Sequence, residues 1–274
     1  MSYKSLLVHL EAGEKNAAVL AAAVSLAERF SASVIGFAAC QPTQIVYNDG
    51  YVSGDVIEAE YRALESSLAE AETEFRAAFA NRTNRLEWRS CVTLQALHEY
   101  LAEEARGADL IVTAATPGGL LRGWTRHANN GDLVMLAGKP VLVVPEGGAS
   151  LNLDHVVVGW KDTREARRAV SDALPLLAQA DDVAVVEIAH DQADAAQRVD
   201  EVARWLRLHG VNAQALAPEA DGDDAGHLER IAEARHAELL VTGAYGHSRL
   251  REWALGGVTR SLLHRPGRYA LLSH

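Results

Sequence analysis

The sequence predicts an α/β protein made of two parallel-sheet units in tandem. Three observations carry this. Short apolar runs alternate with helical stretches of mostly 10 to about 16 residues, the pattern of βαβ units. The segment Ala105-Arg106-Gly107-Ala108-Asp109-Leu110-Ile111-Val112-Thr113 recurs as Ala234-Arg235-His236-Ala237-Glu238-Leu239-Leu240-Val241-Thr242. Finally, the second copy runs straight into the glycine turn Gly243-Ala244-Tyr245-Gly246, and Gly256-Gly257 precede a further helical stretch. Such a turn offers backbone N–H groups to an anion at a helix start.

Element by element, the first half opens with Leu6-Leu7-Val8-His9-Leu10, a buried-strand signal. A helix over 14–29 and a strand over 32–38 follow. A polar and aromatic loop, 41–54, leads into a long helix over 55–80, favoured by its Ala and Glu content. A short strand at 86–89 precedes a helix over 93–106, with Thr93 as its cap. A strand at 109–113, a glycine-rich turn, a helix at 130–137 and a strand at 140–144 complete the half. The second half repeats the order: strands at 155–158, 183–188, 212–217, 238–242 and 269–272, with helices at 163–177, 193–209, 224–234 and around 258–263. The stretch 145–152, with Gly147-Gly148-Ala149-Ser150, reads as the linker, so the expected domains are 1–146 and 153–274.

Composition narrows the function classes. The net charge of -11, from 37 acidic and 26 basic residues, disfavours a nucleic-acid partner. Apolar runs are strand-length and broken by charges, so no membrane span is expected. Glu11, Glu14 and Lys15 interrupt any signal-peptide pattern, and a cytoplasmic protein is expected. Cys40 and Cys91 lack metal-ligand spacing and read as structural thiols. The glycine segment is neither a P-loop nor a Rossmann fingerprint.

In these motifs the chain resembles the universal stress protein family in its tandem two-domain form. The resemblance covers nearly the whole chain. Its most specific part is Gly243-x2-Gly246-x9-Gly256-Gly257, followed by Val258-Thr259. It implies two doubly wound parallel five-stranded sheets of strand order 3-2-1-4-5, similar to the adenine nucleotide alpha hydrolases. It implies a dimer fused into one polypeptide, with room for a homodimer of such chains, and a role in stress response. Many members bind ATP, so ATP with Mg2+ is the implied cofactor. An acidic residue after the first strand touches the adenosine end, and the glycine motif with a following Ser or Thr holds the phosphates.

Carried onto this chain, the phosphate side maps to Gly243, Gly246, Gly256, Gly257 and Thr259. The acidic position maps to Lys161, with Asp162 one residue further on; Lys161 either meets a phosphate or points to solvent. His247 and Arg249 lie between the glycine pairs, and Arg249 or Arg251 either meets a phosphate or is surface charge. In the first domain Ala114 replaces Gly243, Pro117-Gly118-Gly119 follows, and Asp132 in Ala128-Asn129-Asn130-Gly131-Asp132 repels a phosphate. Glu11 lies near the acidic position. That half is expected to have lost nucleotide binding.

Each of these residues also has a plainer reading. Gly243 and Gly246 make a turn out of a sheet, and Gly256, Gly257 and Thr259 cap a helix. Trp160 packs against an adenine or against its own domain. Tyr47, Tyr51 and Tyr61 line a pocket or an oligomer contact, or are scattered on the surface. His9 is packed in a strand. No nucleophile elbow or zinc-binding histidine pair is present, so no catalytic residue is assigned. The expected function is binding of ATP or a related anionic small molecule, chiefly in the C-terminal domain. The alternatives are a non-nucleotide metabolite- or protein-binding module in the N-terminal domain, and a weak ATPase in which Asp162 or Glu187 meets the attacking water.

Overall fold

The computed structural model describes residues 2–42, 54–83, 85–115, 127–148, 151–244 and 267–274. The loop tyrosines Tyr47 and Tyr51, Pro117-Gly118-Gly119, and the helix expected at 258–263 lie outside the described residues. In the first half the order is β1 (Ser5–His9), α1 (Ala17–Phe30), β2 (Ser33–Cys40), α2 (Gly54–Ala78), β3 (Leu86–Val92), α3 (Leu97–Glu104), β4 (Leu110–Ala114), α4 (Asn130–Ala137) and β5 (Val141–Val144). The second half gives β6 (His155–Gly159), α5 (Arg164–Leu177), β7 (Asp182–Val186), α6 (Gln192–Leu208), β8 (Ala213–Leu216), α7 (Asp224–Ala234), β9 (Leu239–Gly243) and β10 (Tyr269–Ser273).

One sheet runs through the molecule. Its ten strands are ordered β3-β2-β1-β4-β5-β10-β9-β6-β7-β8. Each half contributes the order 3-2-1-4-5 with parallel pairing, and the halves join where β10 pairs antiparallel with β5. The two separate sheets expected from sequence are therefore corrected to one mixed sheet, whose strand order is symmetric about the seam. The physical reason lies in the edges. The runs Val141–Val144 and Tyr269–Ser273 are buried along their whole length. An apolar edge strand left unpaired would expose both its side chains and its ladder groups.

Helices cover both faces. Val19 and Leu26 of α1, Leu64 and Phe75 of α2, Ala169 of α5 and Val199 of α6 belong to one continuous apolar layer. Leu97 and Leu101 of α3, Leu133 of α4 and Leu228 of α7 belong to the layer on the opposite face. Both layers continue across the seam. Tyr3 ties the halves directly, its hydroxyl donating to the Asp172 carbonyl at 2.6 Å.

Local chemistry sets the helix starts. Thr163 caps α5 by accepting from the Ala166 amide at 3.2 Å. Asn129 caps α4, accepting from Gly131 and Asp132 amides. Thr93 does not cap α3, contrary to expectation. Its hydroxyl accepts from the Gln95 amide at 3.0 Å, a tight local turn, and β3 extends to Val92 before the helix begins at Leu97.

Candidate functional site

In open parallel sheets, the crevice lies at the carboxyl ends of the two neighbouring strands whose connections leave toward opposite faces. This chain has that place twice, between β1 and β4 and between β6 and β9.

In the first half the chain's own side chains fill it. His9, at the end of β1, is 2% exposed, and its Nδ1 lies 3.0 Å from the Thr113 hydroxyl on β4. A hydroxyl both donates and accepts, so Thr113 satisfies either imidazole tautomer. Burial pushes the His9 pKa below its ordinary value, against the opposing charge of Glu11 and with help from His127. Glu11 follows β1 and is 7% exposed. His127 Nδ1 stands 2.9 Å from Glu11 Oε1, an ion-pair distance when the ring is protonated.

Asn16 locks the loop between β1 and α1. It accepts from the Glu11 amide at 2.9 Å and donates to the carbonyls of Glu11 and Glu14 and to Glu74. Asn130 donates to the Ala114 carbonyl at 2.7 Å. The segment Asn129 to Asp132 is thus accounted for by capping and loop closure, and Asp132 approaches His98 at 3.8 Å.

The second half carries other residues at the same positions. The Trp160 amide donates to the Val186 carbonyl as the Leu10 amide donates to that of Phe37, both at 2.8 Å. This register places Gly159 opposite His9 and Lys161 opposite Glu11. Lys161 is exposed and makes no ion pair among the described residues. Asp162 pairs with Arg167, and the buried Glu187 takes a two-oxygen grip from Arg198, with contacts of 2.7 to 3.1 Å. Both carboxylates considered as water-activating groups are therefore held by guanidinium ions.

Gly243 has a structural explanation of its own. A Cβ there would lie 2.5 Å from the Ala166 amide nitrogen and 2.5 Å from the Glu165 carbonyl carbon. The end of β9 packs directly on the first turn of α5, and only glycine fits. Gly246, His247, Arg249, Gly256, Gly257 and Thr259, with Ser248 and Arg251, lie outside the described residues. Tyr61 sits on α2 and is 39% exposed.

Elsewhere the chemistry is quiet. Cys40 is buried, and burial raises the Cys91 thiol pKa, which disfavours a reactive thiolate. Among the described residues no group of three or more His, Cys, Asp or Glu is placed to hold a metal. Nor is any of their helices long and apolar enough to cross a membrane.

The sequence reading missed the role of His9, Thr113 and His127. His9 and Thr113 are 104 residues apart, and only the strand pairing brings them together. The available signal was the repeat itself, which sets a histidine against Gly159 and an acid against Lys161.

A universal stress protein from Archaeoglobus fulgidus DSM 4304 matches this structure with a TM-score of 0.72 at 12% identity, covering 98% of this chain and 95% of that one. The fold is that of the universal stress proteins. A candidate universal stress protein from Pseudomonas aeruginosa UCBPP-PA14 shares it with a TM-score of 0.60 at 16% identity, over 99% of this chain and 93% of its own. A functionally unknown protein from Pseudomonas aeruginosa PAO1 matches with a TM-score of 0.60 at 15% identity, over 99% and 92%. The universal stress fold is thus shared over nearly the full length of all three. No protein-family model matches the sequence. No curated protein matches it significantly.

Proposed function

We propose that this chain is a tandem universal stress protein whose two units span 1–146 and 153–274. Its activity is binding of an anionic small molecule, an adenine nucleotide first among candidates, at the carboxyl ends of β6 and β9. Mg2+ would arrive with the nucleotide, and the biological role would be stress tolerance or signalling.

The difference between the two crevices supports this most directly. The first is closed by His9 on Thr113 and by Glu11 on His127. The second presents Lys161, an exposed ammonium with no ion-pair partner among the described residues, where the first has a buried acid. The chain then leaves β9 into the segment carrying Gly246, His247, Arg249, Gly256, Gly257 and Thr259. Backbone amides, a hydroxyl and two further basic side chains are what a phosphate group needs. Binding rather than hydrolysis fits the carboxylates, since Asp162 and Glu187 are both engaged by arginines.

The test begins with mass spectrometry of small molecules released from denatured protein, followed by titration of the emptied protein with ATP–Mg2+. Recovered nucleotide or micromolar binding is expected. Lys161→Glu should weaken it about tenfold, the size of one charge-assisted hydrogen bond. No binding at millimolar nucleotide, or a Lys161→Glu variant that binds as the native chain does, would overturn the assignment.

A further inference from the structure

The groove between α5 and α6 lies on the helical face that carries Trp160, and the site proposed above does not use it. It encloses about 460 Å3, within the usual size of small-molecule pockets. Two indoles line it, Trp160 following β6 and Trp205 on α6, together with Val170 and Val202. Trp205 is 36% exposed, a large apolar ring turned outward. The Trp160 Nε1 atom is buried and has no hydrogen-bond partner among the described residues. A buried donor without an acceptor costs free energy, and such atoms are rare in folded proteins.

The charges around the groove cancel. Arg167 is paired with Asp162. Arg198 is paired with Glu187. Glu201 accepts from the Gln197 amide at 3.3 Å. A ligand of strong net charge would therefore meet cations and carboxylates in balance and gain little from them.

The first half provides an internal comparison. Its corresponding groove, between α1 and α2, is lined by Leu20, Val24 and several alanines together with Lys15, Glu74 and Arg82. Among the described residues no aromatic side chain lines it. The paired helices alone make a groove in both halves; among the described residues the indoles and the orphaned N–H line the second.

We infer that the α5–α6 groove binds a planar, uncharged heteroaromatic molecule bearing a carbonyl or ring-nitrogen acceptor. The rings of Trp160 and Trp205 supply apolar and stacking contact, and the acceptor satisfies the Trp160 N–H.

Caffeine is a suitable probe, because it is planar and neutral and has acceptors but no N–H donor. The chain has five tryptophans, so its indole N–H groups give five nitrogen–proton NMR signals. Titration should move the Trp160 and Trp205 signals together and leave the Trp88 signal in place. Trp205→Ala, a change at the surface, should weaken binding roughly tenfold, as for loss of one stacking ring. Trp160→Phe keeps a ring but removes the donor, and should weaken it about fivefold. Toluene, planar without an acceptor, should not shift the Trp160 N–H downfield. Lys161→Glu and saturating ATP should leave the caffeine response intact.

Four results would overturn the inference. These are no movement of either signal at millimolar caffeine, equal affinity in Trp205→Ala, or loss of the response when ATP is bound. The fourth is movement of the same signals with protein concentration alone, which would assign the groove to a second copy of the chain.

Discussion

The carboxyl ends of β1 and β4 and those of β6 and β9 are one place in the fold built twice. In the first half a histidine and an acid follow the strand inward, and each finds a partner across the crevice. In the second half a glycine and an exposed lysine stand there instead. The helix that follows is also held differently. In the second half β9 ends in Gly243, and α5 comes down onto the strand backbone. In the first half Ala114 occupies the equivalent position and α1 begins behind a loop knotted by Asn16. The sheet is the same in both halves while the crevices differ: one holds buried, paired side chains, and the other has a lysine facing out.

The largest expected effect is at the strand–helix contact. Gly243→Val would press a branched side chain into the backbone of Glu165 and Ala166, where no rotamer can yield. It should destabilise the protein by about 3 kcal/mol or more, judged by denaturant unfolding. Ala114→Gly, its counterpart, should cost only about 1 kcal/mol through backbone entropy. Equal effects at the two positions would mean that the halves are packed alike there. Any loss of ligand binding in Gly243→Val must accordingly be read against the fold itself, so Lys161 is the better probe of the site.

Next comes the buried pair. His127→Ala leaves Glu11 enclosed without its partner, and should destabilise the fold by about 3 kcal/mol near neutral pH. Lys161→Ala, at the matching position of the other half, should change stability by less than about 0.5 kcal/mol, as exposed sites do. Two small effects would show that the first crevice is not closed by this contact.

His9 gives a pH signature. Burial holds its pKa below the ordinary value, so the unfolded chain binds this proton more readily than the native one. Native stability from this group is intact above the unfolded pKa of about 6.5 and falls as pH drops below it. Thr113 faces the ring directly, while Glu11 opposes the shift and His127 adds to it. His9→Asn keeps a polar contact for Thr113 but cannot titrate. The difference in stability between native and variant chains should therefore shrink as the pH is lowered below that value. A constant difference would place the histidine in a site that tolerates its charge.

Much of this architecture was legible in the sequence because it depends on local pattern. The apolar runs 109–113 and 238–242, matched between the halves, announce parallel strands, and the helical stretch 163–177 announces α5. What stayed hidden depends on contacts across the chain. Nothing near Val141 or Tyr269 says that the two will meet across an antiparallel seam, because an apolar edge looks like any buried strand. Gly243 reads from sequence as a ligand glycine or as a turn out of the sheet; its close neighbours, Glu165 and Ala166, are supplied by another helix. His9 was read as packed, which its burial supports, but its pairing with Thr113 required the register of β1 on β4.

The smallest of these differences is how the first helix of each half starts. Thr163 spends its hydroxyl on the Ala166 amide, a direct cap for α5. Asn16 stands at the same junction before α1, yet its side chain caps nothing in that helix. Its amide reaches back to Glu11 and Glu14 and across to Glu74, closing the loop that holds the acid in place. Thr163→Ala should therefore cost about 1 kcal/mol and leave the rest of its half untouched. Asn16→Ala should cost more than a cap does, because it frees the buried Glu11 amide and carbonyl together. It should also speed hydrogen exchange at Glu11, whereas Thr163→Ala speeds exchange only in the first turn of α5. If both variants behave as simple caps, the first crevice is held by its helix rather than by its loop, and the Glu11–His127 closure loses its support.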